Sequence, residues 1–320
     1  MLLLMGRAEI CDHEYRIING LELPSTRTLV SCLEYYAIGW SFHRGAMSSS
    51  SELLLKPHTG WQPIDLAEIY RSRELFWFLV WRDIKIRYKQ TFLGGLWAVF
   101  QPIMAMLIFT LFFNRLAGIK TDGPPYPLFA FSGLVLWTFF ANSVSMSSNS
   151  LVGNQALVSK IYFPRIFIPM ASIGALVLDL VVGVFLVFAM MIYYSWPVVP
   201  GALLIPVYVL GTLLAASGLG LILSALNVHY RDVKYAVPFF IQMGLFVSPV
   251  IYPLQYIPAR YQLLLGLNPM SGMIVGFRHS LLGSPTDWAL VVTSLATGVF
   301  LFLAGLFIFR RMERRFADVI

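Results

Sequence analysis

Six stretches of this sequence are apolar over about twenty residues, the length that an α-helix needs to cross the roughly 30 Å hydrocarbon core of a membrane. Backbone groups inside a bilayer must find their hydrogen bonds within the segment, so each stretch is predicted to be a helix. The sequence therefore predicts an all-α integral membrane fold with about six transmembrane helices. They are placed at residues 96–115, 128–151, 167–193, 198–225, 235–253 and 288–309.

The composition agrees with a surface that faces lipid. Only 12% of the 320 residues are charged and 58% are hydrophobic, whereas a soluble domain carries about 25% charged residues. The net charge of +7 comes from cations near the ends of the spans, so nucleic-acid binding is not indicated. The two cysteines, Cys11 and Cys32, lack the spacing of a metal site, and no metal or cofactor is predicted on this chain.

The cations also predict the direction of the spans, because Lys and Arg beside a span tend to remain in the cytoplasm. They precede the first span, recur in the second and fourth connections, and end the chain. With the N-terminus inside, both termini are cytoplasmic and every inner connection is basic. The residues concerned are Arg82, Lys85, Arg87, Lys89, Lys160, Arg165, Arg231, Lys234, Arg310, Arg311, Arg314 and Arg315.

Four regions follow from this arrangement. Residues 1–46 show no sustained periodicity and are predicted to be a disordered leader or to precede a natural start at Met47. Residues 47–91 form a cytoplasmic arm and an interface helix, residues 92–310 the transmembrane domain, and residues 311–320 a cytoplasmic tail.

The interface helix is predicted over residues 74–91. Trp77, Trp81, Ile84 and Tyr88 recur at helical spacing, so they share one face. Such an amphipathic helix lies at a membrane surface with aromatic residues inward and cations outward. Residues 84–89 also alternate as a strand would, but a lone strand there leaves its backbone unpaired. The residues assigned to the interface helix are Trp77, Trp81, Arg82, Lys85, Arg87, Tyr88 and Lys89.

The connection between the fifth and sixth spans is about 35 residues long and too apolar for an ordinary loop. Prolines divide it into pieces shorter than a span, so we expect two short outer re-entrant helices at residues 259–265 and 269–282. Irregular backbone at membrane depth is tolerated where protein or a water-filled cavity surrounds it. This connection is therefore the predicted outer mouth of a pathway.

Asp179 is a carboxylate well inside a predicted span. Its insertion costs at least about 2.5–3.5 kcal/mol, so it is predicted to face the helix bundle and to have a partner. A hydrogen-bonded packing residue is favoured over a proton or substrate site.

Four segments together resemble a known family: RDIKIRYKQTFLGGLWAVFQP, NQALVSKIYFPRIFIP, NVHYRDVKYAVPFFIQ, and SPVIYP leading into LNPMSGMIVGFRHSLLG. In this order they resemble the permease subunit of type-2 ABC exporters, in the branch that exports lipid-linked polysaccharides such as O-antigen, capsule or teichoic acid. The resemblance implies a homodimer in a bacterial cytoplasmic membrane, with two separate ATPase subunits that bind ATP and Mg²⁺. The chain itself has no GxxxxGK[ST] motif, so it is a transport subunit rather than an enzyme.

The resemblance also implies roles for the two inner connections. The segment of residues 154–165 resembles the coupling helix that contacts the ATPase, and residues 227–235 mix aromatic and charged groups as docking surfaces do. The alternative is that both are plain basic turns. The expected coupling residues are Asn154, Lys160, Tyr162, Phe163, Arg165, His229, Arg231 and Asp232.

Two further sets are candidates for the pathway itself. Aromatic planes accommodate the apolar faces of sugar rings, so Phe109, Phe113, Phe239 and Tyr252 are expected to line a glycan pathway, with a lipid-facing aromatic belt as the alternative. Arg278 and His279 are expected at an outer gate that meets acidic substrate groups, or else they snorkel to headgroups.

Other functions remain as alternatives. An exporter of drugs or small lipids has the same fold. A membrane glycosyltransferase would need paired carboxylates at one face, which the outer connections lack. A proton-coupled secondary transporter fits poorly with one carboxylate within the spans and no visible internal repeat.

Overall fold

The computed structural model describes residues 15–18, 21–24, 70–89, 96–119, 121, 123–160, 163–313 and 316. The chain divides into two units, Met1–Gly60 and Trp61–Ile320. In the first unit, strands β1 (Tyr15–Ile18) and β2 (Leu21–Pro24) form an antiparallel hairpin. The start at Met47 stays a prediction, because residues 47–69 lie outside the described residues.

The described part of the second unit consists of helices and their connections. Helix α2 continues as a wider π-helical stretch, Thr110–Leu116, and α6 follows a 3-10 turn, Pro200–Leu204. The helices are α1 (Arg73–Lys89), α2 (Leu96–Phe109), α3 (Tyr126–Gly153), α4 (Gln155–Lys160), α5 (Phe167–Tyr193), α6 (Ile205–His229), α7 (Val233–Val247), α8 (Ala259–Leu265), α9 (Pro269–Leu282) and α10 (Trp288–Glu313).

Five of the six predicted spans are confirmed as helices long and apolar enough to cross a membrane: Val99–Leu116, Tyr126–Gly153, Phe167–Tyr193, Pro200–His229 and Trp288–Glu313. The fifth span, predicted at residues 235–253, is wrong in its length. Helix α7 has 15 residues, which is about 22 Å and too short for a roughly 30 Å hydrocarbon core. It ends because Ser248, with φ −81° and ψ 147°, is extended before Pro249.

Helix α3 is the centre of the transmembrane unit. Within its apolar 18-residue stretch 78% of the residues are buried, and the helix packs against α2, α5, α6, α7 and α9. Helix α10 packs closely along α6, where Gly218 lies against the backbone of Leu301 and Gly305. Small residues allow this approach, since a side chain at Gly218 would overlap the facing backbone.

Contacts near the helix ends distinguish the two ends of the bundle. At one end Asn227 Nδ2 donates a hydrogen bond to the Ser148 carbonyl (2.9 Å). At the other end Trp196 Nε1 donates to the Leu282 carbonyl (3.2 Å). The predicted inner connections thus lie at one end and the predicted outer connections at the other. The cytoplasmic identity of the first end comes from the basic residues.

Candidate coupling surface and membrane pathway

Helix α1 packs lengthwise against α5. The rings of Phe76 and Phe167 lie 5.6 Å apart, and Leu79 and Val80 are buried. Twelve residues further along both helices, Tyr88 meets Asp179. Twelve helical residues rise about 18 Å, so the two helices run in the same direction over that length. The predicted helix is therefore confirmed, and it is docked on a spanning helix.

The predicted aromatic face of α1 is not the face that packs most closely on the protein. Ile84 packs into the inner-end core, but Trp77 and Trp81 are more than half exposed. The helix has apolar residues on adjacent faces, and the face with Leu79 and Val80 is the buried one. The two tryptophans are left free for lipid or for another subunit.

The cations of α1 differ in their surroundings. Arg82 forms an ion pair with its neighbour Asp83 (2.8 Å). The Asp83 carboxylate in turn accepts a hydrogen bond from the Ser172 hydroxyl of α5 (3.3 Å). Lys85 lies over the ring of Trp81, with its Nζ atom 5.4 Å from the ring centroid, and Lys89 is exposed. Interfacial placement of this helix stays a prediction.

Asp179 has the partner that its position requires. Arg87 Nη2 lies 2.7 Å from Asp179 Oδ2, and the Tyr88 hydroxyl donates a hydrogen bond to Asp179 Oδ1. Burial and this carboxylate raise the pKa of Tyr88 above its ordinary value, so the hydroxyl keeps its proton as a donor. The prediction of a hydrogen-bonded packing residue is confirmed. Sequence reasoning missed the identity of the partner, although an unpaired cation in a neighbouring helix was the available signal.

The first inner connection contains a short helix, α4, within the predicted coupling segment. Asn154 Nδ2 donates to the Ser150 carbonyl (2.8 Å), which closes the end of α3. Phe163 is only 8% exposed and packs in the inner-end core, so its assignment to a docking surface is wrong. The side chain of Lys160 and residue Tyr162 lie outside the described residues.

The end of α10 holds both inner connections. Arg165 Nη1 donates to the Glu313 carbonyl (2.9 Å), and the Arg165 backbone N–H donates to Glu313 Oε1 (3.3 Å). The ring of His229 lies 6.2 Å from that of Phe316. These contacts bring the two predicted coupling segments to one end of the bundle.

Within that end, Arg231 and Asp232 are exposed, and the described part of the chain gives their side chains no polar partner. Charged groups without an internal partner keep their hydration and are free to pair with a second protein. We call Arg231, Asp232 and the exposed residues of α4 the inner docking surface.

The predicted pathway aromatics occupy two flanks of α3. The rings of Phe109 and Phe113 pack edge to face with their centroids 5.8 Å apart, and Phe239 is exposed beside Phe240, with 5.7 Å between the ring centroids. The Tyr252 hydroxyl donates to the Val247 carbonyl (3.0 Å) at the end of α7. Only 11% of the apolar stretch Val99–Leu116 is buried, and Phe239 and Phe240 of α7 are exposed. Both helices therefore expose apolar side chains. Their lining of a pathway stays a prediction.

Arg278 is buried in α9 rather than exposed at the outer surface. It is 2% exposed, and it donates to the carbonyls of Phe129 (Nε, 3.1 Å), Pro249 (Nη1, 2.6 Å) and Val250 (Nη2, 2.5 Å). Its guanidinium also lies 3.5 Å from the centroid of the Phe129 ring. Headgroup snorkelling is wrong for this residue, since three of its donors face backbone inside the protein. Its place at an outer gate stays a prediction.

These bonds explain why the short helix α7 is tolerated. The backbone after Val247 is irregular, and its carbonyls need donors that lipid cannot supply. Arg278 donates to the carbonyls of Pro249 and Val250, and the Tyr126 hydroxyl donates to the Ile251 carbonyl (2.9 Å). His279 has a local role: its Nδ1 lies 2.8 Å from the Ser284 carbonyl, and its ring packs on Trp288 (5.3 Å).

Comparison with known proteins gives consistent results. The family model described as ABC-2 type transporter matches residues 74–282. The chain is 31% identical over 261 residues to an O-antigen export system permease protein RfbA of Myxococcus xanthus, covering 79% of this chain and 98% of that protein. It is 28% identical over 241 residues to a protein of the same name from Klebsiella pneumoniae (75% and 92%). It is 24% identical over 237 residues to a polysialic acid transport protein KpsM of Escherichia coli (72% and 91%).

Proposed function

Because the chain belongs to the ABC-2 type transporter family, we propose that it is the permease subunit of an ATP-driven exporter of a lipid-linked polysaccharide. The observation that carries the substrate class is the similarity, over nearly the whole length of the relative, to an O-antigen export permease. The proposed location is the cytoplasmic membrane of a bacterium, with both termini in the cytoplasm.

The proposed partners on the cytoplasmic side are two ATPase subunits that bind ATP and Mg²⁺. The inner docking surface supports this proposal, because both inner connections are tied to one end of the bundle while Arg231 and Asp232 remain exposed. An acidic group on a partner would pair with Arg231, and a basic group with Asp232. These pairs would transmit motion to α6 and α7, which directly flank this connection.

The proposed partner within the membrane is a second copy of this chain. Helices α2 and α7 both pack on α3 and leave aromatic and aliphatic side chains exposed. A closed twofold arrangement of these flanks would enclose a pathway lined by aromatic residues, along which sugar rings slide without fixed hydrogen bonds.

Deletion and complementation test the proposal. Removing the gene should abolish the surface polysaccharide of the host, and the wild-type chain supplied in trans should restore it. Purification of the tagged chain under mild detergent should recover an ATPase subunit. Undiminished surface polysaccharide after deletion, or transport driven by a proton gradient in the absence of ATP, would refute the proposal.

A further inference from the structure

A cavity of about 250 Å³ opens among the outer connections. Five parts of the chain line it: the connection before α3, helix α3 at Phe129, the connection after α7 together with α8, helix α9 at Val275 and Arg278, and the connection between α9 and α10. Arg278 lies at its floor. The polar residues that line the rest of it are Thr121, Gln255, Gln262, Ser284, Thr286 and Asp287.

Much of the hydrogen-bonding capacity of this lining is unused. Gln255 is exposed and has no hydrogen bond within the described residues. Gln262 uses its Nε2 atom on the Ile257 carbonyl (2.9 Å), which leaves its amide oxygen free. Asp287 uses Oδ1 to accept from the Ala289 N–H (2.9 Å), which leaves Oδ2 free. The lining therefore offers both donors and acceptors.

One lining group lacks a partner inside the protein. The Ser284 hydroxyl is buried and makes no hydrogen bond in the described part of the chain. A buried hydroxyl without a partner costs about 1–3 kcal/mol, so an occupant that hydrogen-bonds to it is favoured. Arg278 also retains two N–H groups, because a guanidinium has five and three are bonded to carbonyls.

The chemistry of the lining selects a class of ligand. The lining contains one positively charged residue, Arg278, and one negatively charged residue, Asp287, so the site favours neither anions nor cations strongly. Amides, hydroxyls and one carboxylate suit a neutral molecule with several hydroxyl groups, each of which donates and accepts. The volume is below the roughly 300–1,000 Å³ of pockets for drug-sized ligands and accommodates a single sugar residue.

We propose that this cavity is a sugar-binding subsite at the outer mouth, which holds one residue of the glycan as it leaves the transporter. The inference rests on the proposed function for the origin of the glycan. Binding of successive sugar residues on the outer side disfavours backward sliding of the chain. Rapid exchange is retained because the hydrogen bonds are few and neutral for the most part.

Two substitutions test the role in export. Gln255→Ala removes a side chain with no internal hydrogen bond, and Asp287→Asn removes the charge while keeping an acceptor for the start of α10. Leu267→Ala, exposed on the same outer segment and outside the cavity, is the matched control. In the deletion strain, the double variant should deliver polysaccharide to the surface about three- to tenfold more slowly, the loss of one or two hydrogen bonds. A rate equal to that of the Leu267→Ala control would overturn the proposal.

Binding is tested separately on the purified chain with the subunits that accompany it, reconstituted in lipid nanodiscs. Cys11 and Cys32 are replaced by Ser, and Gln255→Cys or Leu267→Cys is labelled with a maleimide. Oligosaccharides released by mild acid from the host's own surface polysaccharide should slow labelling at position 255 and leave position 267 unchanged. If oligosaccharide changes the labelling rate at position 255 no more than at position 267, the subsite is overturned. If oligosaccharide protects position 255 but the wild-type chain does not complement the deletion, the proposed function alone is overturned.

Discussion

Removal of the Arg87 side chain provides a direct test of how α1 is held on α5. Arg87→Ala leaves Asp179 with the Tyr88 hydrogen bond but without its counter-ion. Loss of one partner of a fully buried pair costs about 3–5 kcal/mol. The side chains of Arg87 and Asp179 are 30% and 15% exposed, so part of the unpaired charge is solvated and we expect a cost of about 2 kcal/mol.

This free energy corresponds to a roughly thirtyfold increase in the population with α1 undocked, at about 1.36 kcal/mol for each tenfold change. The assay is thermal unfolding of the purified protein in nanodiscs, followed by tryptophan fluorescence, since Trp77 and Trp81 lie on α1. Lys89→Ala is the control. It removes the same charge from the same helix at an exposed position, and it should change stability by less than about 0.5 kcal/mol.

The pairwise nature of the contact is tested by exchanging the charges. Arg87→Asp and Asp179→Arg should each destabilise the protein, and the double variant should recover part of the loss because the ion pair is restored in reverse. If the double variant is as unstable as the sum of the two single variants, the two residues are not coupled. If the Arg87→Ala and Lys89→Ala variants unfold at the same temperature, the ion pair does not hold α1.

Three further outcomes follow from the structure. Arg231→Glu should lower recovery of the ATPase subunit and export without affecting membrane insertion, whereas Arg260→Glu at the outer end should leave both unchanged. Leu107→Cys on α2 should form a disulfide between two copies in a background without native cysteines, and the more exposed Phe300→Cys on α10 should form less. Arg278→Lys loses the three-carbonyl geometry and should destabilise the protein by about 2–3 kcal/mol, measured by thermal unfolding, whereas neighbouring His279→Ala should cost less.

The outer helices α8 and α9 were predictable because their ends have local chemical causes. Pro258 and Pro269 stand at their starts, and Gly283 ends α9 with a φ of 69°, a conformation that glycine adopts without strain. Both helices have the predicted bounds. The break after α7 has an equally local cause in Pro249, but the continuous apolar run through this segment favoured a full span.

Other features depend on contacts that no local pattern contains. Apolar residues on adjacent faces of α1 left its buried face undecided, and the choice is made by α5, where Gly174 admits Val80. The partner of Asp179 lies about ninety residues earlier in the chain. The place of Arg278 in an outer segment predicts contact with acidic groups or headgroups, and only the fold reveals the backbone carbonyls to which it donates.

Two charged residues of the described bundle, Asp179 in a spanning helix and the buried Arg278, share a property that bears on the source of energy. Asp179 is paired with Arg87, and the Arg278 donors are bonded to backbone carbonyls, so each charge is compensated within the chain. A proton relay needs a carboxylate that gains and loses its proton during transport, whereas Asp179 is held in an ion pair with Arg87. The charges of Asp179 and Arg278 therefore act in the architecture of the described bundle, which agrees with the proposal that an ATPase partner supplies the energy of transport.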